Sequence, residues 1–373
     1  MRVGIDGREL LGRPTGVGRY LAELLARWTR DPHAAGHDIV LYAPAPVEDA
    51  PWHGQGGARV ATRVVPGGGG TAWEQGHLAW AARRDRPGVL FCPGYTAPLL
   101  APCPVVVCIH DVSFLAHPEW FPPREGWRRR MLVGAAVRRA RTVLTVSEFS
   151  RSEILARLGV PASRVRTVLS GADPHPCFAP PGGRQPAPGA AVARVPLVLY
   201  VGSVFNRRRV PDLIAAFALL RARQPAARLE IVGENRTFPH QALGRVAADL
   251  GVLDAVGLHD YVDDDALAAL YARARGFAFL SEYEGFGFTP LEAMRAGVPA
   301  VVLDTPVARE IYKDAAVFVA PGDIDGTAAA LERVLQDGAE RDRLLAAGTR
   351  VAASYTWHRA ATVTLEALEA AAA

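Results

Sequence analysis

Along the 373 residues, short runs rich in Val, Ile and Leu alternate with longer stretches whose apolar residues recur at helical spacing. A chain patterned this way folds into α/β units, in which parallel strands are buried on both faces and helices cover them. In the first half the pattern predicts strands at Arg2 to Ile5, His37 to Tyr42, Val60 to Val65, Val89 to Cys92, Val105 to Ile109 and Thr142 to Val146. Helices are predicted between them, among them Gly18 to Thr29 and Trp73 to Arg84. The pattern stops from Asp173 to Pro196, where Pro174, Pro176, Pro180, Pro181, Pro186, Pro188 and Pro196 leave no room for a regular element. It restarts with a strand at Leu197 to Val201 and a helix at Pro211 to Arg223. A strand at Arg228 to Val232, a helix around Gln241 to Leu250, and strands at Gly276 to Leu280 and Ala300 to Leu303 follow.

Two doubly wound Rossmann-like domains are therefore expected: residues 1–175, a linker at 176–196, and residues 197–355. Ligands of such sheets bind at the carboxyl ends of the strands, so the cleft between the two domains is the expected site. No apolar run reaches the roughly 18 to 20 residues of a spanning helix, and Met1 to Asp6 starts a strand with no charged-then-apolar signal segment before it, so a cytoplasmic protein is expected. Cys92, Cys103, Cys108 and Cys177 lack C-x-x-C spacing and read as free thiols, with no zinc site or disulfide framework. The net charge of +4 is too small to argue for nucleic acid without a recognition motif.

The most informative segment is Ser281-Glu282-Tyr283-Glu284-Gly285-Phe286-Gly287-Phe288-Thr289-Pro290-Leu291-Glu292-Ala293-Met294, which follows a predicted strand and opens a helix. Gly285 and Gly287 let the backbone turn close to a ligand, and a helix with Thr289 as N-cap and Pro290 at its first position offers N–H groups to an anion. Thr289 and Glu292 also fit a capping box, in which the Glu side chain returns to its own helix end. On local grounds Glu292 is as readily a cap as a ligand contact.

Glu284 and Glu292, seven residues apart within E-G-F-G-x-x-P-L-E-A-M, resemble the E-x7-E motif of the retaining glycosyltransferases of family 4 (GT4). The resemblance implies the GT-B fold, two facing Rossmann-like domains with the active site between them. It implies a sugar moved from a nucleoside diphosphate sugar to an acceptor hydroxyl with retained configuration. It places Glu284 by the donor sugar and Glu292 on the ribose hydroxyls. Gly202-Ser203-Val204-Phe205-Asn206-Arg207-Arg208-Arg209 resembles the family's diphosphate loop, with Ser203 in the loop and Arg207 and Arg208 as its basic pair. Asn206 stands where the family has Pro and Arg208 where it has Lys, while Arg209 has no assigned role. Arg can hold phosphate oxygens through two donors where Lys is a point charge.

In the first half, Thr15-Gly16-Val17-Gly18-Arg19-Tyr20 resembles the glycine-rich loop that approaches the diphosphate, through Gly16 and Gly18. Ile109-His110-Asp111-Val112-Ser113-Phe114 resembles the segment that brings a His to the donor sugar, making His110 a polar contact or proton partner. Val232-Gly233-Glu234-Asn235-Arg236 resembles a further donor-side loop. Gly257 to Val262 falls at the base-binding segment, where backbone groups at Tyr261 and Val262 would meet the base. The last helix, 356–373, resembles the one that crosses back onto the first domain. Site residues carried over are thus His110, Arg207, Arg208 and Glu284 for catalysis. Gly16, Gly18, Ser203, Val262, Gly285, Phe286, Gly287, Phe288, Thr289 and Glu292 join Arg207, Arg208 and Glu284 in donor binding. No metal and no separate cofactor is implied, since no Asp-x-Asp lies in a suitable loop. A hexose is expected, with mannose first, on GDP or UDP.

A rival reading comes from Gly67-Gly68-Gly69-Gly70-Thr71-Ala72, which formally fits G-x-G-x-x-A and would imply an NAD(P)-dependent oxidoreductase. It follows the third predicted strand, and no acidic residue ends the next one. A catalytically silent sugar-nucleotide-binding protein is the other alternative. Trp120 to Met131, followed by Arg138, Arg139 and Arg141, mixes aromatic and basic residues. This segment is either a solvated helix face over core tryptophans or a peripheral contact with the inner face of an anionic membrane, where a glycolipid acceptor would be met.

Overall fold

The structure is a computed structural model that describes residues 1–12, 16–47, 52, 54–173 and 195–373. Thr15, Cys177 and nearly all of the expected linker lie outside the described residues. The chain forms two compact units: Met1–Pro118 with Pro123–Gly171 and Thr356–Ala373, and Glu119–Pro122 with Ala172–Tyr355. The first unit thus ends its main stretch at Gly171 and not at residue 175. Ala172 N–H donates to the Tyr355 carbonyl at 3.0 Å, and Asp173 lies 3.6 Å from Arg295, which ties this point of the chain to the second unit.

The first unit is built on β1 (Arg2–Asp6), β2 (Asp38–Ala43), β3 (Arg59–Val64), β4 (Val89–Cys92), β5 (Val105–Cys108), β6 (Thr142–Thr145) and β7 (Val165–Thr167). All pair in parallel, in the order β3-β2-β1-β4-β5-β6-β7. The central β4 and β5, Val-Leu-Phe-Cys and Val-Val-Val-Cys, are buried at every position, whereas edge strand β3 is largely exposed. The order reverses between β1 and β4, which is this sheet's switch point. β7 escaped the sequence pattern because its segment, Val-Arg-Thr, is too short to show a period.

The second unit holds β8 (Leu197–Val201), β9 (Arg228–Val232), β10 (Val256–His259), β11 (Gly276–Phe279), β12 (Ala300–Leu303) and β13 (Ala316–Val319). They too are parallel, in the order β10-β9-β8-β11-β12-β13, with the switch between β8 and β11. β10 was not predicted as a strand, because Gly257 and the exposed Leu258 and His259 break its apolar run. The helix expected from Gln241 begins at Leu243, since the Thr237 hydroxyl and Asn235 amide hold Gln241 in the preceding loop.

The last helix, Trp357–Ala372, belongs to the first unit and packs on the helix Gly16–Trp28. Trp28 Nε1–H donates to the Ala361 carbonyl at 2.9 Å, Arg166 pairs with Glu366 at 2.7 Å, and a Cβ on Gly171 would lie 2.3 Å from the Trp357 nitrogen. Cys92, Cys103 and Cys108 are free thiols, the first and last of them buried. Among the described residues no helix is long and apolar enough to cross a membrane.

Candidate active site

In the second unit the chain leaves β8 through Gly202, whose φ of +136° is open to glycine and whose missing side chain makes room for Arg208. A tight turn, Asn206–Arg208, then presents two guanidinium groups at the switch point. Arg208 donates from Nε to Glu284 Oε1 at 3.0 Å and from Nη1 to the Ser203 carbonyl at 2.8 Å, with its guanidinium over the Phe279 ring at 5.0 Å. Arg207 lies 3.8 Å from the same carboxylate and 4.6 Å from the Phe205 ring, and its buried Nε makes no hydrogen bond. Ser281 Oγ also donates to Glu284 Oε1, at 2.8 Å. The Glu282 N–H donates to the Arg207 carbonyl at 2.8 Å, so the loops after β8 and β11 are fastened together.

Burial works against both members of the central pair. It would raise the Glu284 carboxyl, but Arg208 and then Arg207 outweigh it and hold that group below the usual carboxylate range. Burial would likewise lower Arg208, yet Glu284, aided by Tyr200, leaves it raised. The result is a fixed anion between two fixed cations, a cluster with excess positive charge at a switch point.

The start of the neighbouring helix departs from the sequence reading. The helix is Phe288–Arg295 and its N-cap is Gly287, at φ 85° and ψ 78°, with no side-chain cap. Thr289 is therefore not the N-cap, Pro290 is not the first helical residue, and the capping box does not form. The reason lies in Gly287: the Tyr312 hydroxyl donates to its carbonyl at 3.0 Å, and a Cβ there would stand 2.1 Å from that oxygen. Thr289 Oγ1 is left buried without a partner, and Glu292, 5% exposed, accepts from the Tyr271 hydroxyl at 3.5 Å. Phe286 packs against Phe288 and Tyr355, at 5.2 and 5.4 Å between ring centroids, and Gly285 completes the turn.

Two residues without a firm role are now placed. Arg209 pairs with Asp212 at 2.6 Å and Glu282 at 3.3 Å, bracing the turn from outside. Asn206, the substitute for Pro, accepts through Oδ1 from the Phe238 N–H at 2.6 Å and so anchors the loop after β9. That loop and the end of β10 enclose a cavity of about 340 Å³ lined by Gly233, Asn235, His240, Leu243, Leu258 and His259. Val262, half-buried, and the exposed Tyr261 come shortly after β10.

In the first unit, Gly16 and Gly18 lie in the first turn of helix Gly16–Trp28, not in a loop before it. His110 follows β5. Its Nε2 is 2.8 Å from the Pro93 carbonyl, which can only accept, so Nε2 carries the proton. Tyr20 and Tyr95 flank the ring at 5.1 and 5.6 Å between centroids. Burial pushes the His110 imidazole below its usual range, against the pull of the Pro93 carbonyl and Asp111. Asp111 is occupied locally, accepting from Ser113 N–H and Oγ at 2.9 and 2.7 Å and from the Tyr95 hydroxyl at 3.2 Å.

A cluster that sequence reading missed sits at this sheet's switch point. Arg8 Nη2 bridges Asp6 at 2.7 Å and Glu74 at 2.6 Å, and the Thr96 hydroxyl donates to Glu74 at 2.6 Å. Glu74 is 1% exposed, and its carboxyl is raised by burial despite Arg8. Asp6 and Arg8 end the first strand, which was a signal, but their partner is 66 residues away from Arg8. The glycine run feeds the same cluster: Gly70 opens a helix interrupted by the π-turn Trp73–Leu78, and its carbonyl accepts from Arg8 at 2.9 Å. A dinucleotide-binding turn would present N–H groups to a phosphate after a strand at the switch, whereas this run follows edge strand β3.

Comparison with known proteins bears on both units. A sequence profile described as "Glycosyl transferases group 1" matches residues 185–351, and one described as "Glycosyltransferase Family 4" matches residues 14–176. The O-antigen chain mannosyltransferase B of Escherichia coli is 31% identical over 299 residues, covering 78% of this chain and 76% of that protein. A glycogen synthase of Mycobacterium tuberculosis is 31% identical over 271 residues, 72% of this chain and 63% of that one. Among solved structures, Anabaena HepE in complex with UDP and glucose aligns over 99% of both chains with a TM-score of 0.72 at 19% identity, a likeness of fold. The two parallel sheets are those of the GT-B fold.

Proposed function

The chain belongs to glycosyltransferase family 4, enzymes that transfer a sugar from a nucleotide sugar, and on that premise we propose that it moves a hexose to an acceptor hydroxyl with retention of configuration. Mannose is the first candidate, supported by the Escherichia coli relative; the glycogen synthase relative is the reason to test glucose beside it. The observation that carries the proposal is the Arg207–Glu284–Arg208 cluster at the carboxyl ends of β8 and β11.

In this reading the diphosphate meets Arg207, Arg208, the Ser203 loop and the N–H groups at the helix start near Gly287 to Thr289. Arg207 brings a donor with no hydrogen bond of its own, and Thr289 an unpartnered hydroxyl. Arg208 chiefly orients Glu284, which faces the donor sugar, while Gly285, Phe286 and Phe288 shape the wall beside it. Glu292 takes the ribose hydroxyls, and the cavity by β9 and β10, with backbone at Val262, takes the base.

As the glycosidic bond breaks, negative charge grows on the leaving phosphate, and the fixed cations stabilise it without reorganising. The leaving phosphate then helps deprotonate the acceptor on the same face. In the first unit His110 is neutral with its Nε2 proton held by the Pro93 carbonyl, so its Nδ1 is a hydrogen-bond acceptor and the ring is not a general acid. The two cations make a metal unnecessary for this charge, so turnover should survive EDTA. The reading is tested by incubating the protein with GDP-mannose or UDP-glucose and candidate acceptors and recording the product anomer by NMR. An α-linked product from an α-linked donor supports it; an inverted product refutes retention.

A further inference from the structure

We propose that Asp260, at the rim of the cavity beside β9 and β10, reads the nucleotide base and selects guanine. This deepens the reading of the second unit's cationic turn as a diphosphate site, and rests on it. Cavity and turn belong to one laced surface. The Val204 N–H donates to the Glu234 carbonyl and the Arg236 N–H to the Val204 carbonyl, both at 2.8 Å, and Asn206 Oδ1 accepts from the Phe238 N–H at 2.6 Å. The loop that carries Arg207 and Arg208 is thus fastened to the loop that walls the cavity, so phosphates held by the arginines leave the nucleoside beside it.

The cavity walls are apolar or bare, with Ile231, Leu243 and Leu258 beside Gly233 and Gly244, which suits the faces of a flat ring. Part of the polar lining is already engaged. Asn235 donates from Nδ2 to the Gln241 carbonyl at 2.8 Å and accepts through Oδ1 from the Thr237 N–H and hydroxyl at 3.2 and 2.7 Å. His259 Nε2 faces the Glu230 carboxylate at 2.7 Å. Asp260 differs: among the described residues it is the one carboxylate in the lining, and it makes no hydrogen bond or ion pair with any of them. His240, exposed and likewise without a partner among the described residues, and Arg245, 3.7 Å from Asp249 on its own helix, bring donors to the same cavity.

Of the common bases, guanine alone answers that set. An ionised carboxylate accepts and cannot donate. Guanine presents N1–H and its 2-amino group side by side, two donors that one carboxylate receives through both oxygens, as it receives a guanidinium. Uracil places its single N3–H between two carbonyl oxygens, while adenine and cytosine each set one amino group beside a bare ring nitrogen, so a carboxylate on those edges meets lone pairs. Guanine O6 and N7 accept, and His240 and Arg245 are the donors for them. Asp260 therefore acts by exclusion as well as by attraction, which is how a site rejects a close analogue.

The test is isothermal titration of the full chain with GDP, with inosine diphosphate, which is GDP without the 2-amino group, and with UDP. GDP should bind about tenfold or more tighter than inosine diphosphate, the size of one hydrogen bond to a charged group, and tighter still than UDP. Asp260→Asn should bring GDP down to the level of inosine diphosphate and leave UDP no weaker. It should also keep the wild-type melting temperature, since Asp260 holds no other described part of the chain. UDP bound as tightly as GDP, inosine diphosphate equal to GDP, or an Asp260→Asn protein that keeps the wild-type order would overturn the proposal. Arg207→Ala separates the two readings. UDP binding at least equal to GDP binding, and lost in that variant, leaves the diphosphate site standing and refutes the base assignment, whereas no binding of any of the three refutes both.

Discussion

At the scale of single residues, the account turns on a buried carboxylate held between two guanidinium groups. Replacing Arg208 with Ala removes the cation nearest Glu284 and one of the two proposed to face the leaving phosphate. Turnover should fall about 10²- to 10³-fold, the size of losing one preorganised charge-stabilising donor. Because Glu284 is then left buried beside the more distant Arg207, stability should also fall, by about 3 kcal/mol. Stopped assays and thermal melts of the same preparation separate the two effects. Thr289→Val makes the opposite prediction. A Thr that capped its helix would cost about 1 kcal/mol on replacement, but Thr289 Oγ1 has no partner. Thr289→Val should thus melt like wild type and show a raised KM for the donor. Two buried titratable groups also set a pH dependence. Glu284 is lowered from 4.5, so its stabilisation is present above that value and lost as pH falls through its folded value. His110 is lowered from 6.5, so below that pH the unfolded chain binds more protons and stability falls as well. His110→Gln should remove the part of the decline that begins below 6.5, while the raised Glu74 carboxyl works the other way, since above 4.5 the folded chain binds more protons there than the unfolded one; melts of both proteins between pH 7 and 4 check this.

At the scale of elements, the strands of both sheet centres were legible because β4, β5, β8, β11 and β12 are buried on both faces and read as unbroken apolar runs. Edge elements were not: β10 and the short β7 gain their identity from pairing with a neighbour, which no local pattern encodes. The site divides in the same way. Arg207, Arg208, Glu284 and Glu292 were singled out by resemblance to family motifs, and the structure brings the first three together. The helix start was misread because the deciding contact, Tyr312 to Gly287, spans 25 residues, and local capping rules carry no knowledge of it. The Asp6–Arg8–Glu74 cluster was invisible for the same reason. Gly287→Ala follows at this scale. It forces a Cβ into a positive φ and against the Tyr312 oxygen, so it should lower the melting temperature and weaken donor binding together. Tyr312→Phe, which removes the hydrogen bond but not the ring, should show a smaller loss of both.

At the scale of the whole molecule, each unit carries a cluster of paired charges at the switch point of its own sheet, and the glycosyltransferase reading requires the second unit's cationic cluster to bind a diphosphate. A ligand bound only by the folded protein raises its melting temperature, so a thermal-shift panel reads that requirement directly. The panel is GDP-mannose, UDP-glucose, UDP-GlcNAc, GDP, UDP, NAD⁺ and NADP⁺, run on wild type and on Arg207→Ala. The account predicts that one nucleoside diphosphate and its sugar stabilise the wild type and that Arg207→Ala loses most of the shift. Stabilisation by NAD⁺ or NADP⁺ alone, or a nucleotide shift that Arg207→Ala leaves intact, would contradict it.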